Sequence, residues 1–266
     1  MNIAVVGGGI SGLSIALESA KRGAKVTVYE RGKIMEGTSR SSTKLLHGGL
    51  RYLENLEFGL VKESLKERAW WLKNVPNLAK PIELHLPICK SSIRSKFKYK
   101  FGLWLYDFIA GKSNIHKHKW LNKSLFIQKN KELKCDMISG GFVFYDGQMD
   151  DYELGCWVAD QAIKNGVIIK ENHEVYNIST DGKFSIMDNH FYINKKSYDS
   201  KLFDFIIIAS GSYTEELLVN SDIPSNFKIN HVRGSHIIIN RCLKHGYFFE
   251  YPNEKRIFFV LPYKNQ

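Results

Sequence analysis

The feature that most constrains this chain lies in its first thirty residues. Asn2 to Val6 is a short apolar strand pattern. Gly7, Gly8, Gly9, Ile10, Ser11 and Gly12 follow, then helical spacing from Leu13 to Arg22, closed by Gly23. A second strand pattern, Lys25 to Tyr29, ends on Glu30, eighteen residues beyond Gly12. Strand, glycines, helix, strand and acid in this order form the dinucleotide-binding βαβ unit. Gly7 makes the tight turn, Gly9 lets backbone approach a pyrophosphate, and Gly12 lets the helix pack on the sheet. The helix N-terminus, with Ile10 and Ser11, turns its positive dipole end to the phosphates. Glu30 is placed to accept hydrogen bonds from an adenosine ribose. The pattern alone does not separate FAD from NAD.

A second stretch, Gly37 to Glu54, reads GTSRSSTKLLHGGLRYLE. So many hydroxyls, cations and glycines suit a packed core poorly and a phosphorylated or otherwise polar ligand well. Hydroxyls and amides bind phosphate oxygens, glycines admit a flat ring, and arginine pairs with an anion. The net charge of +11 over 266 residues points the same way, to an anionic partner: substrate, nucleotide, acidic membrane or nucleic acid. Cys89, Cys135, Cys156 and Cys242 fall in no metal-ligand or C-x-x-C spacing, so neither metal nor disulfide is expected. No apolar run approaches the ~20 residues that span a bilayer. A cytoplasmic protein is expected, peripheral on the cytosolic membrane face.

Leu56, Leu60, Val61, Leu65, Ala69 and Leu72 have helical spacing and predict a long amphipathic scaffold helix. Residues 82 to 88 read as a strand. From Lys90 to Lys123 nine Lys or Arg stand against one acid, Asp107, among Phe97, Tyr99, Phe101, Trp104, Tyr106, Phe108 and Trp120. That mixture suits an anionic lipid surface or a solvated basic face over packed aromatics. Nucleic acid is set aside, because no recognition motif accompanies the charge. Asp150 and Glu153 form a capping box that starts a helix running to Lys164. Strands at Val167 to Ile169 and Glu174 to Ile178, hairpins at Asp181-Gly182 and near Asn189, and an apolar strand at Phe203 to Ile208 follow. Ala209-Ser210-Gly211 ends that strand as a small-residue turn. His231 and His236 are read as structural side chains at the entry to another apolar strand.

The stretch GTSRSSTKLLHGGLRYLE closely resembles the segment after the second strand in FAD-dependent glycerol-3-phosphate dehydrogenases. YDGQMDDYEL, IIIASGSYTEELL, VRGSHIII and KRIFFVLPY, starting at Tyr145, Ile206, Val232 and Lys255, resemble successive blocks of that family in family order. The resemblance implies an α/β fold with an FAD-binding Rossmann-like domain of the D-amino-acid-oxidase/glutathione-reductase type. That domain, 1 to 75 and 146 to 222, is interleaved with a largely antiparallel substrate domain, 76 to 145 and 223 to 266. Oxidation of sn-glycerol 3-phosphate to dihydroxyacetone phosphate is implied, with electrons passing from FAD to a quinone. Cofactor contacts are implied for Gly7, Gly9, Ile10, Ser11, Gly12, Glu30, Arg31, Thr38, Ser39, Ser41, Ser42, Thr43, Lys44, Leu46, Gly48, Gly49, Ala209, Ser210 and Gly211. His47 is the candidate base, Arg51 with Tyr52 the candidate reader of substrate phosphate. A histidine that only bonds the flavin explains the same residues. Ser39-Arg40-Ser41-Ser42 carries arginine one place earlier than the family's Ser-Ser-Arg-Ser, which leaves open which hydroxyl faces the phosphate. Family members are considerably longer, so the chain is read as lacking the C-terminal part of the fold. Two other readings stay open: oxidation of a different 2-hydroxy acid or amine, and a flavin-binding fragment without activity.

Overall fold

Four consecutive buried residues in Asn2–Val6 (β1) and in Lys25–Tyr29 (β2) make strands covered on both faces. This is the apolar run that a parallel sheet demands. The computed structural model describes residues 1–133, 137–179, 184–188, 195–199, 203–251 and 256–264. Its contacts divide the chain into two discontinuous units, Met1–Ser42 with Asp150–Ser235 and Thr43–Met149 with His236–Gln266.

In the first unit β1 lies between β2 and Phe205–Ile208 (β11), both parallel to it, and Ile168–Lys170 (β7) adds to β2. Ile10–Lys21 (α1) links β1 to β2 and packs on Asp151–Lys164 (α5). The start of α5 is set locally, since Asp150 Oδ1 accepts the Glu153 amide at 3.2 Å as the N-cap. An antiparallel sheet of His173–Ile178 (β8), Phe184–Asp188 (β9) and Lys195–Asp199 (β10) joins this unit. The turns expected at Asp181-Gly182 and Asn189 lie outside the described residues. Thr214–Asn220 (α6) follows β11.

The second unit is built on a mixed sheet. Ala79–Cys89 (β4) pairs antiparallel with Ile138–Met149 (β6), and Leu45–Leu46 (β3) and Lys119–Asn122 (β5) both pair with β6. Gly246–Glu250 (β12) runs parallel to β4, and Ile257–Val260 (β13) runs antiparallel to β12. Phe58–Asn74 (α2), Lys96–Ala110 (α3) and Lys123–Lys129 (α4) complete it. Residues 43 to 75, grouped with the nucleotide segment in the sequence, make their contacts in this unit, because β3 is an edge strand of its sheet and α2 packs on β4 and α3. The core is Leu84, Leu86, Phe142, Phe144 and Phe248 between the sheet and Tyr99 and Leu103 of α3.

Two expectations need correction. Residues 231 to 240, read as the approach to an apolar strand, have no regular structure; Val232 and Ile237 are 90% and 88% exposed. β-branched residues favour a strand only where a partner strand completes the ladder, and no described residue supplies one. His231 and His236 are accordingly exposed and not packed. The aromatic side chains of α3 are also not all packed. Tyr99, Leu103, Tyr106 and Ala110 face the core, while Phe97, Phe101, Trp104 and Phe108 form an outer stripe 52 to 79% exposed.

Candidate functional site

In the first unit the glycine loop, the end of β2, the short 3-10 turn Thr38–Arg40 and the end of β11 come together at the C-terminal edge of the parallel sheet. This is the place where open α/β sheets bind ligands. Gly7, with φ +114°, brings its Cα face against the Ala209 carbonyl, and a Cβ on Gly12 would overlap the Gly7 carbonyl. Helix α1 and strand β1 therefore approach as closely as backbone allows. The α1 N-cap, Gly9, has no side chain to satisfy the first amides. Ser39 does so, its hydroxyl oxygen accepting from the Ile10 amide at 3.0 Å. Ser42 is held otherwise, its amide and hydroxyl donating to the buried Asp151 carboxylate at 3.0 and 2.7 Å. Of the two serines, Ser39 is the one at the helix terminus. Thr38 and Ser41 are exposed on the same turn.

The Glu30 carboxylate accepts from the Gly8 amide at 2.7 Å and the Gly32 amide at 2.9 Å. Each carboxylate oxygen keeps lone pairs for further donors. Arg31 lies over the Tyr213 ring at 3.6 Å. The Ala209 amide donates to Val6, Ser210 bonds Thr214, and Gly211 has φ +59°. The cradle without Cβ atoms, the amide-lined helix end and the half-buried acid after β2 fit a dinucleotide.

The remaining candidates belong to the second unit. Thr43 is exposed. Lys44, in the left-handed region at φ 60°, sits over the Tyr263 ring at 5.5 Å, and Leu46 pairs with Gly147. His47 is exposed, with its ring 6.1 Å from that of Tyr52. Gly48 and Gly49 are buried, and a Cβ on Gly48 would meet Leu65 and the Tyr106 hydroxyl. Arg51, on the 3-10 turn Leu50–Asn55, is exposed and has no hydrogen bond or ion pair among the described residues.

What holds the His47-Gly48-Gly49 stretch was not visible in the sequence reading. The Gly48 amide donates to Tyr106 Oη at 2.9 Å and to Asp146 Oδ1 at 3.1 Å. Arg68, 1% exposed in α2, donates to Asp146 Oδ1 at 2.9 Å and to the Ser113 carbonyl at 3.0 Å. Tyr106 Oη donates to Asp146 Oδ2 at 3.1 Å. Burial pushes the Asp146 carboxyl up against the opposing pull of Arg68, and pushes the Tyr106 phenol well above its ordinary range. The signal available in the sequence was a cation three residues after Leu65, on the apolar stripe of α2.

A second cluster, centred on the buried His85, involves no residue expected to matter. Candidate ligand atoms of Glu83, His85 and His245 lie within 4.8 Å of one another. The two imidazoles stack at 3.7 Å and 14°, so their ring lone pairs run side by side and do not converge on one ion. Both ring nitrogens of His85 are engaged, with Asn130 at 2.7 Å and Glu83 at 2.6 Å, and His245 Nε2 also meets Asn130 at 2.9 Å. Burial and the neighbouring His85 push the pKa of His245 down. The cluster is a hydrogen-bonded network.

A sequence profile of the FAD dependent oxidoreductase (DAO) family matches residues 2–266. The chain belongs to this family. Among its relatives, the aerobic glycerol-3-phosphate dehydrogenase of Staphylococcus epidermidis is 32% identical over 98% of this chain and 48% of that protein. That of Staphylococcus aureus is 30% identical over the same shares. The chain thus spans about half the length of the curated relatives it matches. Among solved structures, the glycerol-3-phosphate dehydrogenase of Bacillus halodurans complexed with FAD superposes with a TM-score of 0.69 at 19% identity, over 100% of this chain and 46% of that one. The FAD-bound L-alpha-glycerophosphate oxidase of Mycoplasma pneumoniae gives 0.59 at 19%, over 83% and 56%. The fold is therefore the α/β FAD-binding fold that the family resemblance implied.

Proposed function

We propose that this chain binds FAD and forms part of an enzyme that oxidises sn-glycerol 3-phosphate to dihydroxyacetone phosphate, passing electrons to a quinone. The carrying observation is an exposed Arg51 without an ion pair among the described residues, two residues beyond a glycine pair pinned by the buried Arg68–Asp146–Tyr106 cluster. The relatives that share this segment support the substrate. FAD, when bound, supplies the hydride acceptor. In this reading Gly7, Gly9, Ile10, Ser11, Gly12 and Ser39 hold the pyrophosphate and Glu30 the ribose. Arg31, Thr38, Ser41, Ser42, Thr43, Lys44, Leu46 and Ala209 to Gly211 complete the cofactor contacts. Gly48 and Gly49 allow a flat ring to approach backbone, and His47 accepts the hydroxyl proton. Arg51, with Tyr52, takes the phosphate.

Arg51→Ala should weaken glycerol 3-phosphate by roughly ten- to a hundred-fold, the worth of a charge-assisted contact at about 1.5–3 kcal/mol. Flavin reduction titrated with glycerol 3-phosphate reads this as a raised half-saturation. Lysine should rescue only in part, because a point charge lacks the planar fork. Unphosphorylated glycerol should be unaffected. Equal losses on both alcohols, at unchanged FAD content, would remove Arg51 from phosphate reading.

The same proposal places the outer stripe of α3 on an anionic membrane. No helix among the described residues is long and apolar enough to cross one. Phe97, Phe101, Trp104 and Phe108 are exposed along one side of α3, and Lys98 and Lys100 flank them. Rings of this kind settle at headgroup level while lysines pair with acidic lipid. The protein should sediment with anionic vesicles at low salt and be released as salt shortens the ~10 Å screening length of 0.1 M. Equal binding to neutral vesicles, or none at low salt, contradicts this placement.

A further inference from the structure

Beside Arg51 the second unit contains a cavity of about 450 Å³. That is the size of pockets that hold drug-sized ligands. Its walls are apolar: Leu50, Leu53, Leu56, Phe58, Leu103 and Phe248 contribute. The charged lining is three cations, Arg51, Arg94 and Lys98, against one carboxylate, Glu54. Arg94 is committed to Glu54 at 2.7 and 2.9 Å and to Glu250 at 2.6 Å, and Lys98 to Glu54 at 3.2 Å. Arg51 alone of these three has no ion pair among the described residues. Tyr99 lines the cavity with its ring, while its hydroxyl is closed off from solvent beside Arg94 and Glu250.

We infer that the cavity receives the hydrocarbon chain of a phosphate monoester whose head is read by Arg51, so that the preferred substrate is a 1-acyl-glycerol 3-phosphate. The inference rests on the phosphate reading of Arg51 given above. An apolar cavity beside an arginine without an ion pair among the described residues matches an anionic head on an apolar tail. Such a substrate keeps its secondary hydroxyl free. His47 would take the hydroxyl proton, and FAD, when bound, would supply the acceptor for the hydride of the same carbon, leaving the ketone as product. The outer stripe of α3, the helix that walls this cavity with Tyr99, Gly102 and Leu103, is where a membrane-borne amphiphile would be met.

Calorimetric titration of the full chain loaded with FAD, using acetyl-, hexanoyl- and dodecanoyl-glycerol 3-phosphate below their micelle concentrations, tests this, with free glycerol 3-phosphate as reference. Affinity should rise about four-fold per methylene and then level off when the cavity is full. Adsorption to the outer stripe would not level off. Gly102→Leu places a side chain where a Cβ meets nothing within 4 Å, in a helix that gains propensity from the change, and should abolish the dependence on chain length. Arg51→Ala should weaken every member of the series by the same ten-fold or more. If free glycerol 3-phosphate binds and longer chains add nothing, the cavity assignment is wrong and the phosphate reading stands. A length dependence that survives Gly102→Leu also overturns the cavity assignment. A series indifferent to Arg51→Ala overturns the phosphate reading, and this inference with it. If nothing binds, both fall.

Discussion

Asp146→Ala should cost the second unit roughly 3–5 kcal/mol of stability, because it leaves the Arg68 guanidinium buried without its counter-charge. Removing the carboxylate also strips the Gly48 amide and the Tyr106 hydroxyl of an acceptor, so the loss falls on the residues that hold the His47 stretch. For a chain of this size such a loss lowers the thermal midpoint by about 6–20 °C. Arg68→Met combined with Asp146→Leu should recover much of it, since replacing a buried pair by apolar groups of similar volume is often neutral. Differential scanning calorimetry of the parent protein and the two variants distinguishes the cases. A midpoint unmoved by Asp146→Ala would mean that Arg68 finds another acceptor.

Gly12→Ala should weaken FAD binding. The added Cβ would overlap the Gly7 carbonyl oxygen, a backbone atom that no rotamer change can move aside. Helix α1 must then lift from β1 and carry the amide-lined terminus away from the pyrophosphate position. Overpacking of this kind costs about 1–3 kcal/mol, and displacing the helix end should weaken FAD at least ten-fold, equivalent to about 1.4 kcal/mol. Gly9→Ala should be milder, because its Cβ meets the movable Ser39 hydroxyl at 2.9 Å. Gly102→Ala serves as control, where open space and helical geometry predict a gain of about 0.5–1 kcal/mol. Flavin absorbance per mole of purified protein reads the two loop variants and should be unchanged in Gly102→Ala, whose gain appears in the thermal midpoint. Full occupancy in Gly12→Ala would place the cofactor elsewhere.

What could be read from the sequence was what local rules decide. β1 and β2 were bounded by glycine and by continuous apolar runs, and their observed limits, Asn2–Val6 and Lys25–Tyr29, match that reading. The start of α5 followed from one side chain reaching three residues forward. The Arg68 cluster was not legible, because its partners Tyr106 and Asp146 lie 38 and 78 residues away in sequence and only the folded sheet brings them to α2. In α3, aromatic residues occupy two stripes, and periodicity alone gives no reason to choose Tyr99 and Tyr106 for the core over Phe101 and Trp104 for the surface. Residues 231 to 240 show the limit of propensity, since a β-branched run remains irregular where no described strand pairs with it. The order of serines after Gly37 was ambiguous as text. Geometry separates them, with Ser39 on the α1 terminus and Ser42 on Asp151.

The central claim is that this chain itself holds FAD on the glycine loop and Glu30. The most direct test is the visible spectrum of the purified protein, followed by mass identification of the nucleotide released on denaturation. The account predicts a yellow protein, or one that becomes yellow on reconstitution, releasing FAD. A colourless protein that cannot be reconstituted with FAD, or one that releases NAD, would contradict it.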